Sequence, residues 1–406
     1  MKKIIGLFIG VLFLADSCSC PSTKEDQNIV QLKTLSENIK QSHAPDRRTG
    51  TFEINFLTDT LNKGVYIAKG ATTQIEAKEA LAAAAVKMGI TLLDSIKLLP
   101  DPALGAKVYG ITNLAVSNIR YAPGHTGEMA TQTLMGMPMR ILERRGSWVR
   151  VITPEGYIGW SNNAVQALTK EEYDEWIKAD KLIVTTHYTL FREEPSIASA
   201  VVRDGVWGCI VVAAGAQGGF YKVILPDGKP AFVAKADAQK YSDWLKQRNP
   251  TAAHLIATGR QFVGFPYLWG GTSIKALDCS GFVKTCFYLN GVIIPRDASQ
   301  QAKAGIEVNI SDVDNLQPAD LLFFGNSTER ISHVGMYIGN GKFIHSNASW
   351  ASVAIESLIP GESDYTSTAQ SLVCARRYIT VIDVDKEIVS IAKHTWYNEA
   401  KLSRTH

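Results

Sequence analysis

A chain of 406 residues, 46% of them apolar and 20% charged, is too long for one ordinary core. Its length and composition predict about three soluble domains and exclude disordered and fibrous classes. The formal net charge of +3 is nearly neutral for this size, and no concentrated basic stripe points to a nucleic-acid partner.

The first 20 residues read as a targeting segment rather than as structure. Lys2 and Lys3 form a short basic start, and Ile4 to Ala15 is an apolar stretch too short to span a membrane as a mature helix. It ends at Ala15-Asp16-Ser17-Cys18-Ser19-Cys20, which resembles a bacterial lipoprotein signal whose cysteine is lipidated and becomes the mature N-terminus. Cys18 is the expected lipidation site, with Cys20 as a second candidate and a plain secretory signal as the alternative. Each reading takes the protein out of the cytosol to the cell envelope or periplasm, and the lipid would anchor it to a membrane.

Residues 21–105 read as a small helical region. Gln27 to His43 is polar and weakly helical. The run Gln74-Ile75-Glu76-Ala77-Lys78-Glu79-Ala80-Leu81 predicts a good helix, with Thr72 or Thr73 available as its N-cap.

An internal repeat follows. Gly146-Ser147-Trp148-Val149-Arg150-Val151-Ile152-Thr153-Pro154-Glu155-Gly156 aligns without gaps on Gly218-Gly219-Phe220-Tyr221-Lys222-Val223-Ile224-Leu225-Pro226-Asp227-Gly228. The same offset superposes Arg120 on Arg192 and Pro123 on Pro195. Short alternating strands separated by Gly and Pro turns predict two β units, over 106–168 and 180–245, joined by a polar helix over Lys170 to Lys178. The pattern Asn118-Ile119-Arg120, Gly-x-Trp and Gly156-Tyr157-Ile158-Gly159-Trp160 is similar to bacterial SH3-like barrels. The second copy, with Ala231-Phe232-Val233 at its end, is the more divergent.

The final third, 248–378, carries the chemistry. A helix over Ala252 to Phe262 leads to Gly264-Phe265-Pro266-Tyr267-Leu268-Trp269-Gly270-Gly271 and then to Asp278-Cys279-Ser280-Gly281-Phe282. The helical spacing of Phe282, Val283, Cys286 and Phe287 puts Cys279 in the first turn of a helix, with Asp278 or its predecessor as cap. A thiolate rather than a thiol attacks carbonyls. Free N–H groups at a helix start, with a neighbouring imidazolium, favour that anion and also face a tetrahedral oxyanion. The other cysteines, Cys209, Cys286 and Cys374, are too sparse for a disulfide framework, and no ligand spacing supports a metal or other cofactor.

Strands are expected at Leu321 to Gly325, His333 to Ile338 and Lys342 to Ser346. Val334, Met336 and Ile338 are apolar and face the core, leaving His333 on the opposite side. A plain two-residue turn at Asn340-Gly341 would point His345 away from His333. A three-residue loop, or an equivalent bulge, pairs Ile344 with Met336 and sets the two histidines on one face as diagonal neighbours about 7–8 Å apart. Cys279 is then the nucleophile, His333 the general base, and His345 the group that orients His333. The segment 379–406 reads as a charged tail or docking helix.

Asp-Cys-Ser-Gly-Phe, Tyr-x-Trp-Gly-Gly, Ser332-His333-Val334-Gly335 and Phe343-Ile344-His345-Ser346 together resemble the NlpC/P60 family of cysteine peptidases. The implied fold class is multidomain α+β: a papain-like catalytic domain behind two SH3-like β-barrels and a small helical N-terminal region. The implied partner is the peptidoglycan stem peptide, cut between γ-D-glutamate and a diamino acid. The resemblance also makes Tyr267 part of the oxyanion region, with Trp269 in the same motif at the substrate cleft. It sets Asp278, Ser280 and Ser299 at the γ-D-Glu end. A narrower subgroup with SH3-like domains ahead of the peptidase uses its first barrel to recognise a free N-terminal L-alanine, a role that would fall to Glu128 and Tyr157. Alternatives are an N-acetylmuramoyl-L-alanine amidase or broad endopeptidase, and a non-catalytic cell-wall-binding lipoprotein.

Overall fold

The computed structural model describes residues 26–402, with side chains through 398. The targeting segment, Cys18 and Cys20 lie outside these residues. Among the described residues no helix is long and apolar enough to cross a membrane.

The N-terminal region is not simply helical. It runs α1 (Gln27–His43), β1 (Phe52–Thr58), β2 (Val65–Thr72), α2 (Ile75–Lys87) and β3 (Thr91–Leu98). β1 pairs antiparallel and β3 parallel with the central β2. The apolar alternation Phe52, Ile54, Phe56 turns one face of the sheet onto Leu32, Ile39, Ala77 and Leu81 of the helices, giving this region its own core. Neither expected threonine caps α2. Thr72 Oγ1 accepts from Gln74 N and donates to Thr51 O, and Thr73 Oγ1 accepts from Thr51 N, so both tie the helix start to β1 and Gln74 takes the cap position without a side-chain bond.

The repeat folds as two seven-stranded sheets of one topology. The first holds β4 (Tyr109–Thr112), β5 (Val116–Arg120), β6 (Met129–Leu134), β7 (Pro138–Arg145), β8 (Trp148–Ile152), β9 (Ile158–Asn162) and β10 (Val165–Leu168). After the linking helix α3 (Lys170–Lys178), the second holds β11 (Lys181–Val184), β12 (Tyr188–Arg192), β13 (Val201–Val206), β14 (Ile210–Gln217), β15 (Phe220–Ile224), β16 (Pro230–Ala234) and β17 (Ala238–Lys240). The orders β10-β4-β7-β8-β9-β5-β6 and β17-β11-β14-β15-β16-β12-β13 match strand for strand. The bulges recur at equivalent places, at Ile119/Arg120 and Phe191/Arg192. So does an arginine bond to a loop carbonyl: Arg120 to Gly127 O at 2.6 Å and Arg192 to Ser199 O at 2.7 Å. The closed barrels expected from the sequence are not seen, because the end strands of each sheet do not pair with each other. In the first sheet the edge strand β6 bonds to the last domain instead, through Gln132 and Thr272. The two sheets meet closely at Gly136, where a Cβ would lie 2.2 Å from Ile210 O.

After α4 (Tyr241–Lys246), the last domain comprises α5 (Ala252–Arg260), the short pair β18 (Thr272–Ser273) and β19 (Ala276–Leu277), the central α6 (Cys279–Leu289), β20 (Val292–Ile293) and α7 (Ala298–Gln301). A six-stranded sheet packs against α6. It contains β21 (Ile306–Val308), β22 (Leu321–Gly325), β23 (Ile331–Gly339), β24 (Lys342–Asn347), β25 (Ser352–Ser357) and, beyond α8 (Ser367–Gln370), β26 (Leu372–Arg377), in the order β21-β26-β22-β23-β24-β25. Every residue of α6 is buried. Burying each of Phe282, Val283 and Phe287 contributes about 1.5–3 kcal/mol. Lys284 is tolerated there because its ammonium lies 2.9 Å from Glu155 Oε1 of the first sheet, an ion pair held by proximity without hydrogen-bond geometry.

The β23–β24 hairpin has the register needed to bring the histidines together, reached by the bulge. Met336 pairs with Ile344 and Tyr337 with Phe343, then Ile338 is skipped and Gly339 pairs with Lys342. The turn itself is the two residues Asn340 and Gly341, at φ 52° and 68°. Ile338 is the extra residue that restores the parity a plain two-residue turn would lose. The C-terminal segment is no free tail. β27 (Val389–Ser390) pairs with β20, and α9 (Thr395–Leu402) packs on α3, with Tyr173 bonding Trp396 O.

Candidate active site

Asp278 caps α6, accepting from Gly281 N at 2.7 Å, and so sets Cys279 as the first helical residue. Gly281 is required here, since a Cβ would lie 1.9 Å from Gly271 O of the Tyr-x-Trp-Gly-Gly loop. The Asp278 carboxylate also accepts from Gly270 N at 2.8 Å and from Arg296 at 2.6 and 3.1 Å. Arg296 is 1% exposed and further donates to Ser280 Oγ and to Thr131 Oγ1 of β6, bolting the nucleophile's helix to the first sheet.

Cys279 is 7% exposed. Burial, with the Asp278 charge adding to it, pushes its thiol up to about 12, against the pull of the Val334 and Ser280 N–H groups. Burial and the adjacent His345 lower His333 to about 3, even though part of the His333 surface reaches solvent. Burial thus works against the thiolate that the helix start favours.

His333 Nε2 lies 2.6 Å from Nδ1 of the fully buried His345. His345 Nε2 in turn lies 3.5 Å from Glu356 Oε1 on β25, within ion-pair range but too long for a good hydrogen bond. Burial raises the Glu356 carboxyl, but the facing His345 ring and bonds from Thr366 and Trp350 overcome that and leave it at about 2. An ionised carboxylate only accepts, so its charge facing His345 Nε2 favours one set of tautomers. His345 carries its proton on Nε2, His333 donates from Nε2, and His333 Nδ1 keeps a lone pair.

A cavity of about 410 Å³ opens beside Cys279, with Trp269, Asp278, Ser280, Arg296 and Ser299 in its walls. Tyr267 stays a phenol, its ionisation opposed first by burial and then by Cys279 and Asp278. Glu128 is on the rim, where its Oε1 accepts from Trp269 Nε1 at 3.0 Å. Tyr157 is buried behind the wall and donates to Asp297 Oδ2 at 2.9 Å. The structure thus gathers Trp269, Asp278, Cys279, Ser280 and Ser299 at one cavity but separates the rim residue Glu128 from the buried Tyr157.

The chain matches the NlpC/P60 family over residues 264–371 and the bacterial dipeptidyl-peptidase Sh3 domain over 119–162. It is 32% identical to a gamma-D-glutamyl-L-lysine dipeptidyl-peptidase of Bacillus cereus, covering 57% of this chain and 71% of that one. It is 35% identical to the protein of the same name from Bacillus subtilis, covering 56% and 75%. A solved NlpC/P60 family protein from Bacillus cereus superposes with a TM-score of 0.58 at 26% identity, covering 67% of this chain and 99% of that one. The chain belongs to the NlpC/P60 family. It is a cysteine peptidase acting on cell-wall peptides, and at least the first of its two sheets is a bacterial SH3 domain.

Three residues of this NlpC/P60 site escaped the sequence reading. Arg296 and Asp297 stand in the same Pro-Arg-Asp-Ala-Ser stretch as Ser299, where two adjacent charges beside a helix start were the available signal. Glu356 had only its apolar, half-buried strand to mark it. Among the described residues no cluster of three or more His, Cys, Asp or Glu is placed to hold a metal ion.

Proposed function

We propose that this peptidase cuts the γ-D-Glu–diamino acid bond of stem peptides bearing a free N-terminal L-alanine and releases L-Ala-γ-D-Glu. The supporting observation is the cavity beside Cys279, where Arg48, Tyr121 and Met129 of the preceding domains meet Asp297 of the catalytic domain, with Glu128 lining the adjoining cavity. Carboxylates at that end suit an ammonium, and a closed wall suits a short substrate. We assign the following roles. Cys279 gives its proton to His333 Nδ1 as sulfur attacks the γ-carbonyl carbon. The oxyanion faces the helix-start N–H groups and the Tyr267 hydroxyl. The C–N bond breaks as His333 returns the proton to the leaving amine, and a thioester remains. Water, deprotonated by His333, then attacks the thioester and frees the dipeptide. His345 orients His333, and Glu356 fixes the tautomer of His345.

The second sheet, by its identical topology, reads as a second SH3-like domain, and Cys18 as the lipid anchor site. The test is mass analysis of products from L-Ala-γ-D-Glu-L-Lys and its meso-diaminopimelate counterpart, each with free and acetylated amine. Only the free-amine forms should yield L-Ala-γ-D-Glu, and Cys279→Ala should yield none. Cleavage of intact wall at the muramoyl–L-Ala bond would favour the amidase reading instead.

A further inference from the structure

The N-terminal αββαβ region lies outside both family matches, yet it reaches the active site. Its loop after α1 docks on the first sheet, where Arg48 O accepts from Ile158 N at 2.7 Å. The Arg48 side chain then spans the gap to the catalytic domain. Nη1 donates to Asp297 Oδ2 at 2.8 Å and to Ser299 Oγ at 2.9 Å, while Nε and Nη2 grip Asp46 at 2.7 Å each. A guanidinium held on both edges by carboxylates is a fixed strut rather than a mobile surface chain.

What this strut divides is visible in the cavities. Beyond the Cys279 cavity lies a second, outer cavity, lined by Pro45, Asp46, Arg47 and Glu128 among others. Four residues, Arg48, Tyr121, Trp269 and Asp297, line both. They are the partition between them. Tyr121 is braced by its bond to Tyr157 and by Arg47 stacked 4.6 Å over its ring, and Trp269 by Glu128. Arg48 is the member contributed by the N-terminal region.

We infer that Arg48 is a specificity-determining residue: it ends the substrate cavity at the amino side and thereby excludes stem peptides whose L-alanine nitrogen is substituted. This deepens the free-amine reading above and rests on it. With Arg48 in place, a free ammonium is accommodated beside the Asp297 carboxylate, whose Oδ2 already accepts from Arg48 and Tyr157, whereas an N-acyl group has neither the space nor the charge to fit. With Arg48 shortened, the acyl extension enters the outer cavity.

The test compares kcat/KM for L-Ala-γ-D-Glu-L-Lys and its N-acetyl form in wild type, Arg48→Ala, Arg48→Gln and Arg48→Lys. Arg48→Ala should lower the free-to-blocked ratio at least tenfold, chiefly by raising turnover of the blocked peptide. Arg48→Lys, which keeps the cation and most of the bulk, should restore most of the discrimination. Arg48→Gln keeps the size without the charge, should fall between them, and serves as the probe if the alanine variant folds poorly. A discriminating wild type whose Arg48→Ala and Arg48→Gln variants discriminate just as sharply would overturn the inference, leaving Arg48 a mere fastener between domains. A wild type that cleaves both peptides equally would instead sink the free-amine reading beneath it.

Discussion

Replacing Asp278 by alanine should be among the most damaging single changes in the catalytic domain, and the damage should be partly reversible. Among the described residues the carboxylate is the one acidic group hydrogen-bonded to the buried Arg296 guanidinium, with Asp297 in a looser approach at 3.7 Å. It is also the cap of α6. Breaking a buried pair by removing one partner costs about 3–5 kcal/mol, and losing an N-cap about 1 kcal/mol, so Asp278→Ala should cost about 4–6 kcal/mol. Adding Arg296→Met removes the stranded charge and should recover about 2–4 kcal/mol of that loss. The cycle is read from midpoints of urea unfolding for wild type, both single variants and the double variant, with amide exchange across α6 as the local measure. A double variant no more stable than Asp278→Ala alone would refute the reasoning. So would a loss below about 1 kcal/mol in Asp278→Ala, by showing that the guanidinium finds water or another partner.

Stability should also fall on mild acidification. His333 titrates below its ordinary 6.5 in the folded state, near 3. Below pH 6.5 the unfolded chain therefore binds a proton that the native one refuses, and stability is lost as pH falls. From 6.5 to 5 this amounts to about 2 kcal/mol at most, reduced by solvent screening of the partly exposed ring. Thermal melts of His333→Gln should show a flatter slope over that range, and an equal slope would contradict the assignment. Glu356, held at about 2, adds a separate loss that begins only below its ordinary 4.5. Glu356→Gln should lower kcat about tenfold or more with little change in KM, by releasing the tautomer of His345, and unchanged kinetics would remove Glu356 from the network. Deleting Ile338 removes the bulge but leaves Gly339 opposite Lys342, Tyr337 opposite Phe343 and Met336 opposite Ile344, so His345 should stay on the face of His333 and peptide cleavage should survive. An inactive deletion variant with near-native circular dichroism would show that the bulge does more than absorb one residue.

What could be read from the sequence follows how local the cause is. The placement of Cys279 followed from a cap and a helical stripe within ten residues, and the position of His345 from strand parity across one turn. The turn type was open, yet the register was not, because only one parity keeps Met336 and Ile344 together in the core. The strands of the N-terminal region were signalled by Phe52, Ile54 and Phe56 but are brief beside the helix-forming run at 74–81. The desolvation of Cys279 was not legible, since a helix start is a local feature and burial is a product of the whole fold. Arg48 was less legible still. Nothing near it in sequence marks it, and its partner Asp297 lies 249 positions away.

That separation orders how the enzyme comes into being. Domains of a chain made from its N-terminus tend to form in sequence, so the loop carrying Arg48 and the sheet it docks on precede the segment that brings the thiol. The restriction on what can enter is thus built before there is anything reactive to restrict, and no fragment that lacks the first fifty residues carries the complete compartment.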